Sequence, residues 1–328
     1  MEAATPPTAP QPSPAPGKDA VESTAAWSLV DRIGLVFCWF LGLAFCAIAV
    51  AIVVYFLVQG LKYVSLDLLT TAPKQGFSQE STGGILDPMI GTILLGAIGM
   101  AIALPAGIAI AVWLSEYGRP AALARAAEST IEAIAGIPSI VLALFGTVIF
   151  SSVLLGFLSQ KTSEGIVFGR SFFAAGAMLS LVALPLIVGS VREGLQAIPQ
   201  HVREASYAVG KTKAATTRRI LLPAARPQVA TGAMLGLGRI IGDTAIILVL
   251  LGATVNLSST SDIWPLSTLK GTGSTLTSFV YSNSPTGDLN QPEKAYAAAF
   301  VLLVMVLLLN IAVDVVHRRA RKVGTWSS

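Results

Sequence analysis

Two charged residues, Arg239 and Asp243, stand inside the apolar run Val229–Val255 of a 328-residue chain, in the stretch "GLGRIIGDTAII". A charge held at the centre of an apolar membrane helix costs about 2.5–3.5 kcal/mol on insertion scales. Arg239 lies ten residues into the run, close enough to its middle for that cost to apply. On one continuous helix a spacing of four puts Asp243 on the same face. Two chemistries fit. The first is a mutual ion pair that locks helix packing, although an apolar pair would pack at less expense. The second is an anion contact: a guanidinium is always protonated and offers a fork of donors matched to oxyanions. Partly neutralised by Asp243, one arginine would attract an anion without trapping it, as a site that must release requires. Asp243 would then either orient Arg239 or take a proton from the anion. Gly238 and Gly242 form a G-x-x-x-G pair, expected to let another helix approach closely.

A second constellation lies between Arg192 and Arg226, in "REGLQAIPQHVREASYAVGKTKAATTRRILLPAAR". Glu204-Ala205-Ser206, Gly210, Ile220 and Leu222-Pro223 stand at the spacing E-A-S-x3-G-x9-I-x-L-P. Pro199 suits a helix start, Gly210 permits a bend, and Pro223 is expected to stop a second helical piece. Two nucleotide-binding look-alikes fail. "AVGKT" needs a glycine where Ala205 stands and has no preceding strand. "GLGRIIG" is one residue off the dinucleotide fingerprint and lies in an apolar run. His201 and His317 stand alone, so no metal cluster is visible. Cys38 and Cys46 are about 12 Å apart along one helix and cannot bridge.

The elements that must position these residues are membrane spans. The chain is 53% hydrophobic and 12% charged, against about 25% charged in soluble domains. Six apolar blocks stand out: Ile33–Leu57, Gly91–Leu114, Thr130–Leu158, Phe172–Val191, Val229–Val255 and Ala295–Val316. Each reaches the roughly 20 residues a helix needs to cross a bilayer, and blocks this long read as helices rather than barrel strands. The expected fold is therefore an all-α integral membrane protein of six transmembrane helices, with a permease domain over residues 33–316. The first block is too long and too far from the start for a cleaved signal peptide. Fifteen of the 22 Lys/Arg fall in segments on the N-terminal side of the membrane and six on the other, which places both termini in the cytoplasm. The same bias explains the net charge of +4 without nucleic acid.

Residues 1–32 form a Pro/Ala-rich lead, its first 26 residues expected to be disordered, and 317–328 a basic tail. Gly60–Pro88 and Asn256–Lys294 read as the larger external loops, with irregular structure over "STLKGTGSTLTSFVYSNSPTG". Pro105 and Pro185 interrupt spans, where a proline either kinks its helix or is accommodated by neighbouring helices. Glu132, near the start of its block, is a third acid, assigned to the cytoplasmic interface.

The spacing around Glu204 resembles the coupling loop of the membrane subunits of bacterial ABC importers, departing only in Ser206 for Ala. "GGILDPMIGTILLGAIGMAIALPAGIAIAVWLSEYG", "GIPSIVLALFG" and "GRIIGDTA" resemble successive signatures of the PstA-type permease subunits of phosphate importers, with Asp243 for the usual Glu and Ile246 for the usual Pro. That resemblance implies a type I ABC importer permease fold and half of a translocation pore. It implies Arg239 and Asp243 on the pathway of inorganic phosphate. Glu204, Ala205, Ser206, Gly210, Ile220, Leu222 and Pro223 would contact a separate ATPase. The implied partners are a second, PstC-type permease, a PstB-type ATPase dimer carrying ATP and Mg, and an extracytoplasmic PstS-type phosphate-binding protein. The chain itself would bind no cofactor and catalyse nothing. Alternatives are a permease for sulfate or molybdate, and a membrane subunit that senses phosphate.

Overall fold

In the computed structural model the described residues are 28–71, 83–152, 155–159, 168–252, 269, 271–287 and 289–322. The expected disordered tail, residues 1–26, lies outside them, as does the last part of the basic tail. Helix α1 (Leu29–Tyr63) is followed by a short α2 (Leu66–Thr70). Helix α3 (Leu86–Val112) continues through a π turn at Trp113–Tyr117. Then come α4 (Ala121–Gly136), α5 (Ser139–Ser151) and the long α6 (Phe172–Gln196). The loop region holds α7 (Gln200–Ala208), α8 (Lys213–Thr216), a π turn at Thr217–Leu221 and α9 (Leu222–Ala224). Helices α10 (Arg226–Gly242), α11 (Thr244–Leu250), α12 (Leu276–Asn283) and α13 (Pro292–Lys322) complete the order.

The chain divides at Tyr55 into two units. The first holds α1 as far as Tyr55, where every described side chain except Ala44 is exposed, including both cysteines. The second unit is built around α6, which packs between α3 and α10. Its core joins Leu95 and Ala103 of α3 to Phe172, Leu179 and Ile187 of α6, Ile240 of α10 and Ile247 of α11, all essentially inaccessible. A smaller cluster gathers Ile85, Leu276, Phe279, Ala298 and Met305 where α12 and α13 meet the start of α3.

Among the described residues four helices are long and apolar enough to cross a membrane uninterrupted, and up to six spans result if each of two bent pairs counts as one. The bent pairs correct two expected blocks. Thr130–Leu158 is not one helix: α4 and α5 meet at 106°. Pro138 disfavours helical backbone at the residue before it, and Ile137 is extended at φ −75°, ψ 128°. Val229–Val255 breaks at Asp243, where α10 and α11 meet at 54°.

Of three prolines singled out, two are accommodated within helices and one departs from expectation. Pro105 and Pro185 lie inside continuous α3 and α6; neighbouring helices make the loss of one backbone bond tolerable. Pro223 stops nothing, because the π turn before it leads into α9 and α10 with a single turn residue, Ala225, between them. The Ser/Thr-rich run, expected to be an external loop, is not wholly irregular either. Thr275 and Ser278 form a reciprocal capping box, and Leu276 and Phe279, one turn apart, anchor α12 in the smaller core. Helix α1 begins within the expected N-terminal tail, and α13 runs on into the basic one.

The glycine spacing that brings helices together also differs from the expected one. Among the described residues no atom of another element lies within 4 Å of where a Cβ on Gly238 or Gly242 would stand. The packed pair is Gly232 and Gly236, one and a half turns earlier, where a Cβ on Gly236 would meet Ile187 Cδ1 at 2.9 Å. Gly176 does the same for α6 against α3, with Ile98 Cγ2 2.5 Å from where its Cβ would stand. Gly176→Leu is therefore expected to overpack this contact by about 1–3 kcal/mol and lower the unfolding midpoint of the detergent-purified chain. Gly238→Ala should leave it unchanged or raise it, and thermal unfolding followed by fluorescence compares the two.

Candidate functional site

The break in the fifth span is built by Asp243. Its backbone is extended (φ −79°, ψ 117°), ending α10 and starting α11. Its Oδ1 accepts a hydrogen bond from the Ile246 amide at 3.0 Å. A short acidic side chain can stand in for the missing carbonyl at a helix start, which is why Asp competes with helix continuation here. The carboxylate is buried, with 3% of the side chain accessible. On the other side of the break, Thr277 Oγ1 donates to the Ile241 carbonyl at 2.8 Å and so satisfies an acceptor left open by the end of α10.

Arg239 stands in the last turn of α10, where its charge offsets the partial negative charge of the helix end. Its Nη2 lies 3.6 Å from Asp243 Oδ2, close enough for ion pairing but beyond good hydrogen-bond geometry. The side chain remains 46% exposed. The two charges therefore do not share the face of one helix, since the helix ends between them. Asp243 has a task that neither expected role included, that of cap to α11. Arg239 is held only loosely and keeps much of its donor fork open.

At the Gln196 end of α6, α7 turns back through Gly210, whose φ of +78° is left-handed and suits glycine. Glu204, Ala205 and Gly210 are exposed, and Ser206 is buried with its Oγ 2.8 Å from Thr216 Oγ1. Ile220, Leu222 and Pro223 are half-buried on the return toward α10. The structure thus brings Glu204, Ala205 and Gly210 onto one accessible bend but turns Ser206 inward. Glu132 is exposed on α4.

Two residues that spacing alone did not single out dominate this end. Arg203 Nε and Nη2 donate to Glu116 Oε1 at 3.1 and 3.0 Å. Its Nη1 reaches the Ile198 carbonyl at 2.7 Å and its Nη2 the Leu195 carbonyl at 2.8 Å. Both side chains are largely withdrawn from water, Glu116 to 5% and Arg203 to 13%. Removing one partner of such a pair strands the other and costs about 3–5 kcal/mol. Nearby, Lys213 Nζ sits 5.0 Å from the centre of the Tyr117 ring, and Arg192 joins Glu128, tying α6 to α4. A signal for the first pair was present, Ser-Glu-Tyr after the second span and Arg203 directly before Glu204, but the partners are 87 residues apart.

The cap assigned to Asp243 separates it from a purely electrostatic partner. Asp243→Asn keeps a capping acceptor and is expected to preserve stability, whereas Asp243→Ala should cost about 1 kcal/mol. Chemical denaturation of the purified variants would order them.

Residues 103–322 match the family described as binding-protein-dependent transport system inner membrane component. The phosphate transport system permease protein PstA 1 of Mycobacterium tuberculosis (strain CDC 1551 / Oshkosh) is 31% identical over 244 residues, covering 73% of this chain and 72% of that one. The phosphate transport system permease protein PstC of Xylella fastidiosa (strain 9a5c) is 30% identical over 73% of this chain and 74% of its own length. Among solved structures, the fold recurs in a bacterial alginate ABC transporter, with a TM-score of 0.60 at 17% identity over 90% of this chain and 97% of that one. It also recurs in the inward-facing MetNI methionine ABC transporter, with a TM-score of 0.51 at 22% identity over 72% and 94%. With its apolar helices, its broken spans and a family match over most of its length, this chain belongs to the inner membrane components of binding-protein-dependent transport systems and is a multi-pass membrane permease subunit.

Proposed function

We propose that the chain is one of two permease subunits of an ATP-driven phosphate importer, lining half of the pore. The observation that carries this reading is the half-exposed Arg239 at the break between α10 and α11. Discontinuous helices are where transporters place substrate sites, and a guanidinium fork suits phosphate oxygens. The names of relatives at 30–31% identity support phosphate as the anion. In the assembled importer the second permease is PstC-type and a PstS-type binding protein delivers phosphate from outside. The chain hydrolyses nothing itself. A PstB-type ATPase dimer holding ATP and Mg drives it through the bend at Glu204, Ala205 and Gly210. Charge bias among the loops supports a cytoplasmic position for both termini and this bend.

Phosphate uptake into proteoliposomes bearing the four-component complex tests the substrate role. Arg239→Ala is expected to lower uptake about tenfold or more, as loss of a charged hydrogen bond implies, and Arg239→Lys should fall between the two. Uptake unaffected by Arg239→Ala would sink the role, and competition by sulfate or molybdate equal to that by phosphate would reassign the anion. The bend has its own test. Gly210→Val forces a β-branched residue toward a left-handed φ and should raise ATP consumption per phosphate imported; normal coupling in an intact complex would count against contact there.

A further inference from the structure

We propose that Arg203 and Glu116 form the positioning pair through which displacement of α7 reaches the membrane helices α3 and α6. The proposal rests on the reading that α7 is where an ATPase engages the chain. What singles the pair out is how little else holds α7. Its only buried residue is Ser206, and an open cavity of about 560 Å³, bordered by Ser115, Gln196, Tyr207 and Lys213, lies beside it. An amphipathic helix pressed onto its neighbours by an apolar face can slide along them, because hydrophobic contact has no direction. Here the attachment is a guanidinium, whose planar fork fixes direction as well as distance.

The fork joins three elements at one point. Glu116 belongs to the π turn that ends α3, with its Oε1 3.0–3.1 Å from Arg203. Leu195 belongs to the last turn of α6, and Ile198 to the connection beyond it. The Leu195 carbonyl, which also accepts from the Ile198 amide at 3.4 Å, lies at a helix end that carries partial negative charge, so the cation is met by a carboxylate and a helix terminus together. The neighbouring residue, Glu204, is exposed. Adjacent positions on α7 thus differ in surroundings, Glu204 exposed to solvent and Arg203 paired within the bundle. Neither Arg203 nor Glu116 touches the transported anion. Their role is to make α7, α3 and α6 move together.

The decisive measurement is phosphate imported per ATP hydrolysed by the reconstituted four-component complex. Glu116→Gln and Arg203→Gln are expected to assemble and hydrolyse ATP while that ratio falls about fivefold or more, the lower end of usual coupling energies. An assembled Glu116→Gln complex with the wild-type ratio overturns the proposal. If Glu116→Gln does not assemble, Arg203→Lys decides, because it keeps the cation but not the fork: an unchanged ratio overturns the proposal and a lowered one supports it. A rescue arm separates transmission from stability. With Cys38→Ala and Cys46→Ala in place, Glu116→Cys and Arg203→Cys are bridged by a short bis-maleimide. Bridging should restore the ratio, and a monofunctional maleimide should not; equal effects of the two reagents count against transmission. A wild-type complex that imports no phosphate would overturn the functional reading, and this proposal with it.

Discussion

A carboxylate withdrawn from water must be met by donors, and the two strongly buried acids among the described residues are met in different ways. Glu116 is met by a guanidinium from another element, so its burial ties separate parts of the chain together. Asp243 is met first by a backbone amide of the helix it starts, so its burial breaks a span. The break leaves Arg239 at a helix end, only loosely paired and half open. Had the carboxylate of Asp243 closed on Arg239 with full hydrogen-bond geometry, the same two residues would form a closed structural ion pair. The division of labour between the two ends of the bundle follows from which donors each acid finds.

Glycine supplies the second condition. The helices that hold these acids in place approach α6 closely at glycines, Gly107 and Gly176 between α3 and α6 and Gly194, Gly232 and Gly236 between α6 and α10. Close approach gives dispersion contacts that lipid cannot supply better. It also keeps α3, α6 and α10 in one core while α5 and α11 complete the packing.

The apolar blocks made the spans legible, because a bilayer demands length and hydropathy and little else. The breaks were less so. Pro138 is visible in the sequence, yet only Ser139 beside it interrupts the apolar residues from Ala133 to Gly146. Asp243 reads equally well as an i, i+4 partner of Arg239 and as a helix cap, and only backbone dihedrals separate those readings. Successive G-x-x-x-G patterns at 232/236 and 238/242 carry the same local signal; which one packs depends on the face α6 meets. In the Ser/Thr-rich run, the spacing of Thr275 and Ser278 was a usable cap signal masked by surrounding Ser, Thr and Gly. The bend at Gly210 was legible from glycine itself, whereas the Arg203–Glu116 pair spans 87 residues and exists only once the chain has folded.

The near-continuous helical path from the π turn at Thr217–Leu221 through α9 into α10 has a mechanical corollary. The turn residue Ala225 is the natural fulcrum, with Arg239 out along a stiff rod. At 1.5 Å per residue the arm from Ala225 to Arg239 is about 20 Å, so a tilt of about 10° sweeps the guanidinium sideways by about 3–4 Å. A rotation small enough to leave the helix itself undeformed is thus magnified into a step the size of a single atomic contact.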